Sequence, residues 1–342
     1  MHVVFRILRT PHLVLKTIVD VAEPKDLVAL SMCSKRMWRL IKFHWNKKNK
    51  YELHVNPDLQ WISFEHASDV EVYVPLIRGL NFSESYMTRK IEFVEIVGQR
   101  VLASFGDDCI RTNWMNEQVR AQTLIDYICD LFTMDIQKLT LEKPKAWFID
   151  FIKNRQTRPL RSVFIDYDVP LTEEETELIL TLNSNFLDVY APIPENFQFH
   201  GQLLKYEILH FECGHWVTLD HLLNSEITQL SISKSKLTEH DINQFLKHLM
   251  TGGCPQLRVL SIKFQHFHSG NVFFDLWDKV IEVTEKRWFQ RIDEINGNQM
   301  YPWIDEINES YDIVNNGKPV ATIFWLSSEL TVTVGQDKWL PN

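Results

Sequence analysis

The 342-residue chain is poor in the residues that build specialised sites. Its five cysteines, at positions 33, 109, 129, 213 and 254, are odd in number and include no C-x-x-C pair. That spacing argues against a disulfide framework and for reduced thiols, and so for a cytoplasmic or nuclear setting. Eleven glycines leave little material for phosphate-cradling loops, and no G-x-x-x-x-G-K-[ST], G-x-G-x-x-G or G-x-S-x-G pattern occurs. No apolar run approaches the ~18 residues of a membrane helix. The opening MHVVFRILRT has neither a long apolar block nor a small-residue cleavage site. A membrane partner and a secretory signal are therefore not expected.

What is present is an ordinary globular balance, 45% apolar and 24% charged, with an uneven distribution of charge. Residues 1–50 hold eleven Lys and Arg against three Asp and Glu, a net +8; the remainder holds 25 against 42, a net −17. A basic head on an acidic body points to an acidic partner for the head, either a nucleic acid or an acidic protein.

Three helix signals fall within residues 11–42. Pro11 suits a first helical turn, because its missing N–H would be unpaired there. In the following HLVLKTIVDV, Leu15, Ile18, Val19 and Ala22 recur at helical spacing, and Leu13, Val14 and Val21 widen the apolar surface beyond one stripe. Pro24 starts a second helix, PKDLVALSMC, and Ser34 is placed to cap a third, KRMWRLIKFHW. Three helices this short cannot bury so much apolar surface among themselves.

The order Pro11, Leu13, Leu15, Ile18, then Pro24, Asp26, Leu27, then Leu30, Ser31, Ser34, Lys35, Arg36 and Trp38 resembles an F-box. The Leu that usually precedes the proline is Thr10 here. The resemblance implies docking on an acidic Skp-type adaptor and, through it, on a cullin. The implied adaptor-binding residues are Pro11, Leu13, Leu15, Ile18, Val19, Leu27, Leu30 and Trp38.

Residues 51–130 alternate in strand fashion in YELHV, DVEVYV and KIEFVEIVGQRVLASF, and NEQVRAQTLIDYICDLF reads as an amphipathic helix. From residue 136 a frame recurs: apolar, two positions, apolar, one position, apolar. It appears as Ile136–Leu139–Leu141, Leu160–Val163–Ile165, Phe186–Val189–Ala191, Tyr206–Leu209–Phe211, Ile227–Leu230–Ile232 and Leu257–Leu260–Ile262. Helix signals separate several of these. Thr172 and Glu175 form a capping-box pair, and Thr238 precedes a stripe of Ile242, Phe245, Leu246 and Leu249 that stops at Gly252 and Gly253. A strand and a helix every twenty to thirty residues is the pattern of leucine-rich-repeat-like units, which bury their faces only by stacking. NGKPVATIFWLSSELTVTV reads as a hairpin, with a turn at Asn316–Gly317 and Lys318–Pro319 at a strand edge.

The expected fold is mixed α+β or α/β: a three-helix F-box over 1–45, a strand and helix connecting region over 46–135, a degenerate leucine-rich-repeat-like solenoid over 136–270, and a C-terminal helix and β-hairpin over 271–342. A cut between head and body is expected near residues 43–50. Residues 206–264 are also similar to the type-2 F-box-associated domain of a large, nematode-expanded F-box family. The resemblance rests on Trp216, Leu219, Leu222, Leu223, the stretch LTEHDINQFLKH, Leu257 and Leu260; Leu249 stands where that family commonly has Trp. The stretch YDIVNNGKPVATIF resembles the family's C-terminal hairpin.

Candidates for chemistry are few. HFECGHW groups His210, Glu212, Cys213 and His215, with His200 and His221 nearby, but zinc-ligand spacing is absent and no metal or cofactor is expected. Strand alternation would carry His210 and Glu212 to one side and Phe211 and Cys213 to the other. The carboxylates of TEEET sit in a first helical turn, where they favour the dipole. KFHWNKKNK interleaves aromatics with lysines as a nucleic-acid site does, although a helix end running into a linker is the commoner origin of such a run.

The alternation also turns one residue of each frame outward: Thr140, Phe164, Tyr190, His210, Ser231 and Ser261. If consecutive strands are neighbours, Phe164, Tyr190 and His210 line up as a target-binding patch, with Asp166, Asp188 and Glu212 as an acidic rim that favours a basic target. The implied function is non-catalytic: a receptor that binds the adaptor through its head and an unidentified protein target through its body. The alternative is a nucleic-acid-binding or structural repeat protein that uses the basic N-terminus.

Overall fold

The computed structural model describes residues 11–47, 50–58, 60–66, 69–81, 91–106, 108–203, 206–264, 271–291, 303–326, 329–335 and 339–340. Thr10 lies outside them. The fold is mixed α+β, with two compact units: residues 1–141 with 150–160, and residues 142–149 with 161–342.

In the first unit the head forms three helices, α1 (His12–Val21), α2 (Pro24–Cys33) and α3 (Lys35–His44). Pro11 stands immediately before α1, and its carbonyl accepts from the Val14 and Leu15 N–H groups at 3.0 and 3.2 Å. Ser34 ends α2 and caps α3, its hydroxyl accepting from the Arg36 N–H at 3.2 Å.

Strands β1 (Tyr51–Asn56), β2 (Trp61–His66), β3 (Asp69–Asn81), β4 (Ile91–Ile96), β5 (Gln99–Phe105), β6 (Ile110–Trp114) and β7 (Lys138–Leu141) follow, with α4 (Glu117–Phe132) between β6 and β7. Their order is β7-β1-β2-β3-β6-β5-β4. The pairs β7-β1 and β3-β6 are parallel, and the other pairs are antiparallel. The expected strands at 51, 69 and 91 and the expected helix at 117 are present. The sequence reading passed over β2 and β6.

The head is not a separate body. Trp45 is 5% exposed, lies 4.7 Å from the Phe132 ring and stacks at 5.9 Å on Phe64, which stacks at 5.3 Å on Tyr51. The expected break at 43–50 therefore carries a core anchor at Trp45, and Tyr51 enters the same aromatic cluster.

A two-residue turn joins β4 to β5, with positive φ at Val97 (49°) and Gly98 (78°). This is the backbone of a type I′ turn, which suits Asn-Gly and penalises a β-branched residue at the first position. Asn316–Gly317 meets the same demand with the preferred pair (51° and 72°). Because the Val97 side chain is 65% exposed, little burial is lost by replacing it. Val97→Asn is expected to raise stability by about 1 kcal/mol in a denaturant titration; a lower midpoint would refute the strain.

The chain passes from the first unit to the second, and back, around and within α5 (Ala146–Arg155). The second unit contains β8 (Leu160–Ile165), α6 (Glu173–Leu180), β9 (Ser184–Val189), β10 (Ile208–Phe211), α7 (Leu219–Leu223), β11 (Gln229–Ser235), α8 (Glu239–Met250) and β12 (Val259–Phe264). β9 to β12 pair in parallel and in chain order. The expected capping box at Thr172 and Glu175 forms, and so does one at Thr238 and Asp241. Ile242, Phe245, Leu246 and Leu249 are buried along α8 as the periodicity requires.

The sheet continues from β12 into an antiparallel set ordered β18 (Glu329–Val334), β17 (Lys318–Leu326), β16 (Ser310–Asn315) and β13 (Val280–Val283). β16 and β17 turn at Asn316–Gly317 as read. Pro319 pairs with Val314 at a register shift, beyond the last β17–β18 pair. A second sheet of β15 (Trp303–Ile307), β14 (Arg287–Arg291) and β19 (Trp339–Leu340) adds Phe289 and Ile307 to a core with Val259 and Phe324.

One frame slips. Leu209 pairs with Leu187 and His210 with Asp188, so the third unit aligns on Leu187–Val189 and not on Val189–Ala191. The strand ends at Val189, and Tyr190 lies one step beyond it.

Candidate binding surfaces

On α1 the residues divide by helical angle. Leu15 and Val19 face inward at 4% and 1% exposure, and Ile18 is half-buried. At 3.6 residues per turn, Leu13, Val14, Thr17 and Val21 share an arc of about 100° on the other side. Leu13 is 73% exposed, Val14 42% and Val21 75%. Of the expected adaptor residues, Pro11 and Leu13 are thus exposed, Ile18, Leu30 and Trp38 are half-buried, and Leu15, Val19 and Leu27 are core. Motif position alone could not separate the groups, because α1 is apolar on both sides. The sequence reading takes Phe43 of α3, which is 77% exposed, only as part of the basic run 42–50 and Arg36 only as part of the F-box order, and it does not single out the exposed Lys16 and Arg39.

A cavity of about 870 Å³ opens in the same unit, with walls that include Met32, Trp38, Val97 and Tyr127. Ion pairs Lys35–Glu95 (3.5 Å) and Arg155–Asp126 (2.9 Å) belong to its rim. The Tyr127 hydroxyl is 2.6 Å from that of Ser31, and burial pushes its pKa up to about 12, so it remains a neutral phenol.

In the second unit the three aromatic residues expected to line up do not form one row. The Tyr190 and His210 rings meet edge-on with centroids 5.1 Å apart, while Phe164 packs against Phe186 at 5.1 Å. Asp188 is not a rim residue: it is 2% exposed and its Oδ1 is 2.7 Å from His210 Nδ1. A buried carboxylate thus fixes the imidazole under the exposed Tyr190. Asp166 is exposed and Glu212 half-buried, the latter 3.7 Å from Lys234.

The histidines near residue 210 are separated rather than gathered. His210 turns to Asp188, and Cys213 is approached by Lys234 Nζ at 3.4 Å. His215 Nε2 donates to the Pro194 carbonyl at 2.9 Å. His221 Nδ1 accepts from the Thr218 N–H at 3.1 Å as part of the α7 cap. Burial lowers the pKa of His221, which keeps that nitrogen free to accept. Among the described residues no group of three or more His, Cys, Asp or Glu is placed to hold a metal ion. A smaller cavity of about 430 Å³ is bordered by Phe197, Phe199, His215 and Trp216.

Residues 198–262 match a family model described as F-box associated. The match runs through β10, α7, β11, α8 and most of β12, and so carries the Trp216 and α8 residues that suggested the resemblance. Comparisons with curated proteins and with solved structures give no match. No helix among the described residues is long and apolar enough to cross a membrane.

Proposed function

We propose that this chain is the target-recognition subunit of a Skp–cullin–F-box ubiquitin ligase, with the head engaging the adaptor and the second unit engaging a protein target. The observation that carries the reading is the F-box-associated match over 198–262, in a chain whose N-terminal residues resemble an F-box. The apolar face of α1, with exposed Leu13, Val14 and Val21 and the basic residues Lys16, Arg36 and Arg39 on the same head, suits an apolar and acidic adaptor surface. Leu15, Val19 and Leu27 then act from inside by holding that face in place, while Pro11, Leu13, Ile18, Leu30 and Trp38 remain reachable.

The receptor role requires no chemistry from this chain. Holding a target beside a charged conjugating enzyme makes the transfer effectively intramolecular. The parallel β9–β12 array serves as the repeat-like scaffold, and the work takes place in the cytoplasm or nucleus. Tyr190 and His210 are the recognition residues, with Phe164 packed on Phe186 and with Asp166 and Glu212 favouring a basic target.

Capture of the adaptor and cullin with the intact chain from cells tests the reading; neither co-purifying would end it. Tyr190→Ala with His210→Ala should reduce target capture by at least tenfold, as expected for a pair of hot-spot residues, and leave adaptor capture unchanged. Normal target recovery by a folded double variant would remove the patch from the proposal.

A further inference from the structure

Strands β1, β2 and β7 bring together three side chains far apart in sequence. His54 Nδ1 lies 2.7 Å from Glu65 Oε1, and His54 Nε2 lies 2.9 Å from Thr140 Oγ1. The register places Glu65 opposite Glu52 and Lys138 opposite His54, with Thr140 two residues further along β7 on the same face. From the other side, Lys138 Nζ approaches Glu65 Oε2 at 2.7 Å and Glu52 Oε2 at 3.3 Å.

The direction of this hydrogen-bonded chain follows from charge. Burial alone would raise the Glu65 pKa, but hydrogen bonds from His54 and Lys138 overcome it and hold the group at about 2. At neutral pH Glu65 is therefore a carboxylate and can only accept. His54 Nδ1 must carry the proton, and on a neutral imidazole Nε2 is then a bare lone pair. In that neutral form the Thr140 hydroxyl donates to Nε2. A hydroxyl on an imidazole that is oriented by a carboxylate is the constellation that activates a nucleophile. The His54 and Glu65 side chains are 18% and 15% exposed, and Thr140 is half-buried.

We propose that Thr140 is an activated hydroxyl that accepts acyl groups from activated esters and thioesters, with His54 as general base and Glu65 as a positioning residue. In the step, Thr140 Oγ1 attacks the acyl carbon and its proton moves to His54 Nε2. The new Oγ1–C bond forms as the bond from that carbon to the leaving oxygen or sulfur breaks. The imidazolium returns the proton to the leaving group, and the products are an O-acyl threonine and a free alcohol or thiol. This activity is independent of target capture and does not depend on the ligase reading.

The intact chain is treated with p-nitrophenyl acetate, and acetylated residues are located by peptide mass mapping. Thr140 is expected to be acetylated about a hundredfold faster than the exposed Thr17 and Thr172, in keeping with general-base assistance. Thr140→Ser should retain the reaction and Thr140→Val should lose it, while His54→Gln should slow it by a similar factor. Should His54→Gln fail to fold, the unaltered chain decides: modification of His54 by diethyl pyrocarbonate, located by the same peptide mapping, must slow acetylation of Thr140 by a similar factor. Acetylation of Thr140 no faster than that of Thr17, or an unchanged rate in folded His54→Gln or in the His54-modified chain, each overturns the assignment.

Discussion

Replacing Lys138 by Met is expected to lower the folding stability by about 3–5 kcal/mol at neutral pH, the range for breaking a buried ion cluster by removing one partner. Lys138 is 2% exposed and its ammonium lies between the carboxylates of Glu52 and Glu65. Met fills similar volume, so the loss is electrostatic: two carboxylates remain on one sheet face without their cation. The pH dependence identifies the cause. In the natural chain the Glu65 pKa is depressed to about 2 from 4.5, so its stabilising contribution is complete above 4.5 and is lost as pH falls through that window towards 2. In the variant the carboxylates gain less from ionisation, and the stability gap should narrow as the pH is lowered below 4.5. Equilibrium denaturation of both proteins between pH 3 and pH 8 measures this. A gap under ~1 kcal/mol, or one that does not vary with pH, would mean that solvent screens the cluster.

The second large effect concerns the outer face of α1. Changing Leu13, Val14 and Val21 together to Ala removes exposed apolar surface without touching Leu15 or Val19. If this face is the adaptor contact, binding should weaken by about 2–4 kcal/mol, which is roughly thirty- to several-hundred-fold in dissociation constant. Thermal stability should hardly change, because exposed side chains contribute little to the core. Titration of the purified chain with adaptor gives the answer, and an unchanged constant would move the contact elsewhere on the head. Leu15→Ala is the contrasting variant. Its side chain is buried, so it should lose stability by about 2–5 kcal/mol and lose binding only in step with folding.

Local order was legible where one short stretch sets its own conformation. Thr238, followed by Ile242, Phe245, Leu246 and Leu249, marks a helix with its cap and buried stripe, while Asp241, which completes the capping box, is not singled out in the sequence. Asn316–Gly317 specifies its turn in two residues. The slip at β9 shows the limit of such reading. Ser184, Leu187, Val189 and Ala191 offer two overlapping frames, and only pairing with Leu209 chooses between them. That choice moved Asp188 from a rim into a buried contact with His210 and lifted Tyr190 past the end of its strand. The head met the same limit, since α1 has apolar residues on both sides and only packing tells which pair is inside. Thr140, His54 and Glu65 left no sequence signal, because 86 and 11 residues separate the partners and three strands assemble them.

The interleaving of the two units constrains how such a chain can be divided or recombined. The path crosses between them at 141/142, 149/150 and 160/161. A recombination event at any one of these points would give a head unit that lacks part of its own structure or carries a stray piece of the other. An exchange after residue 141 would take away Arg155 and Gln156. Arg155 binds Asp126 at 2.9 Å, and Gln156 holds both the N–H and the carbonyl of Ile136, at 3.2 and 2.7 Å. A swap near residue 141 therefore does not exchange either unit whole. If the second unit is the recognition surface, as proposed, that surface would change by substitution of exposed residues such as Asp166 and Tyr190, or by exchange of everything after residue 160 as one block.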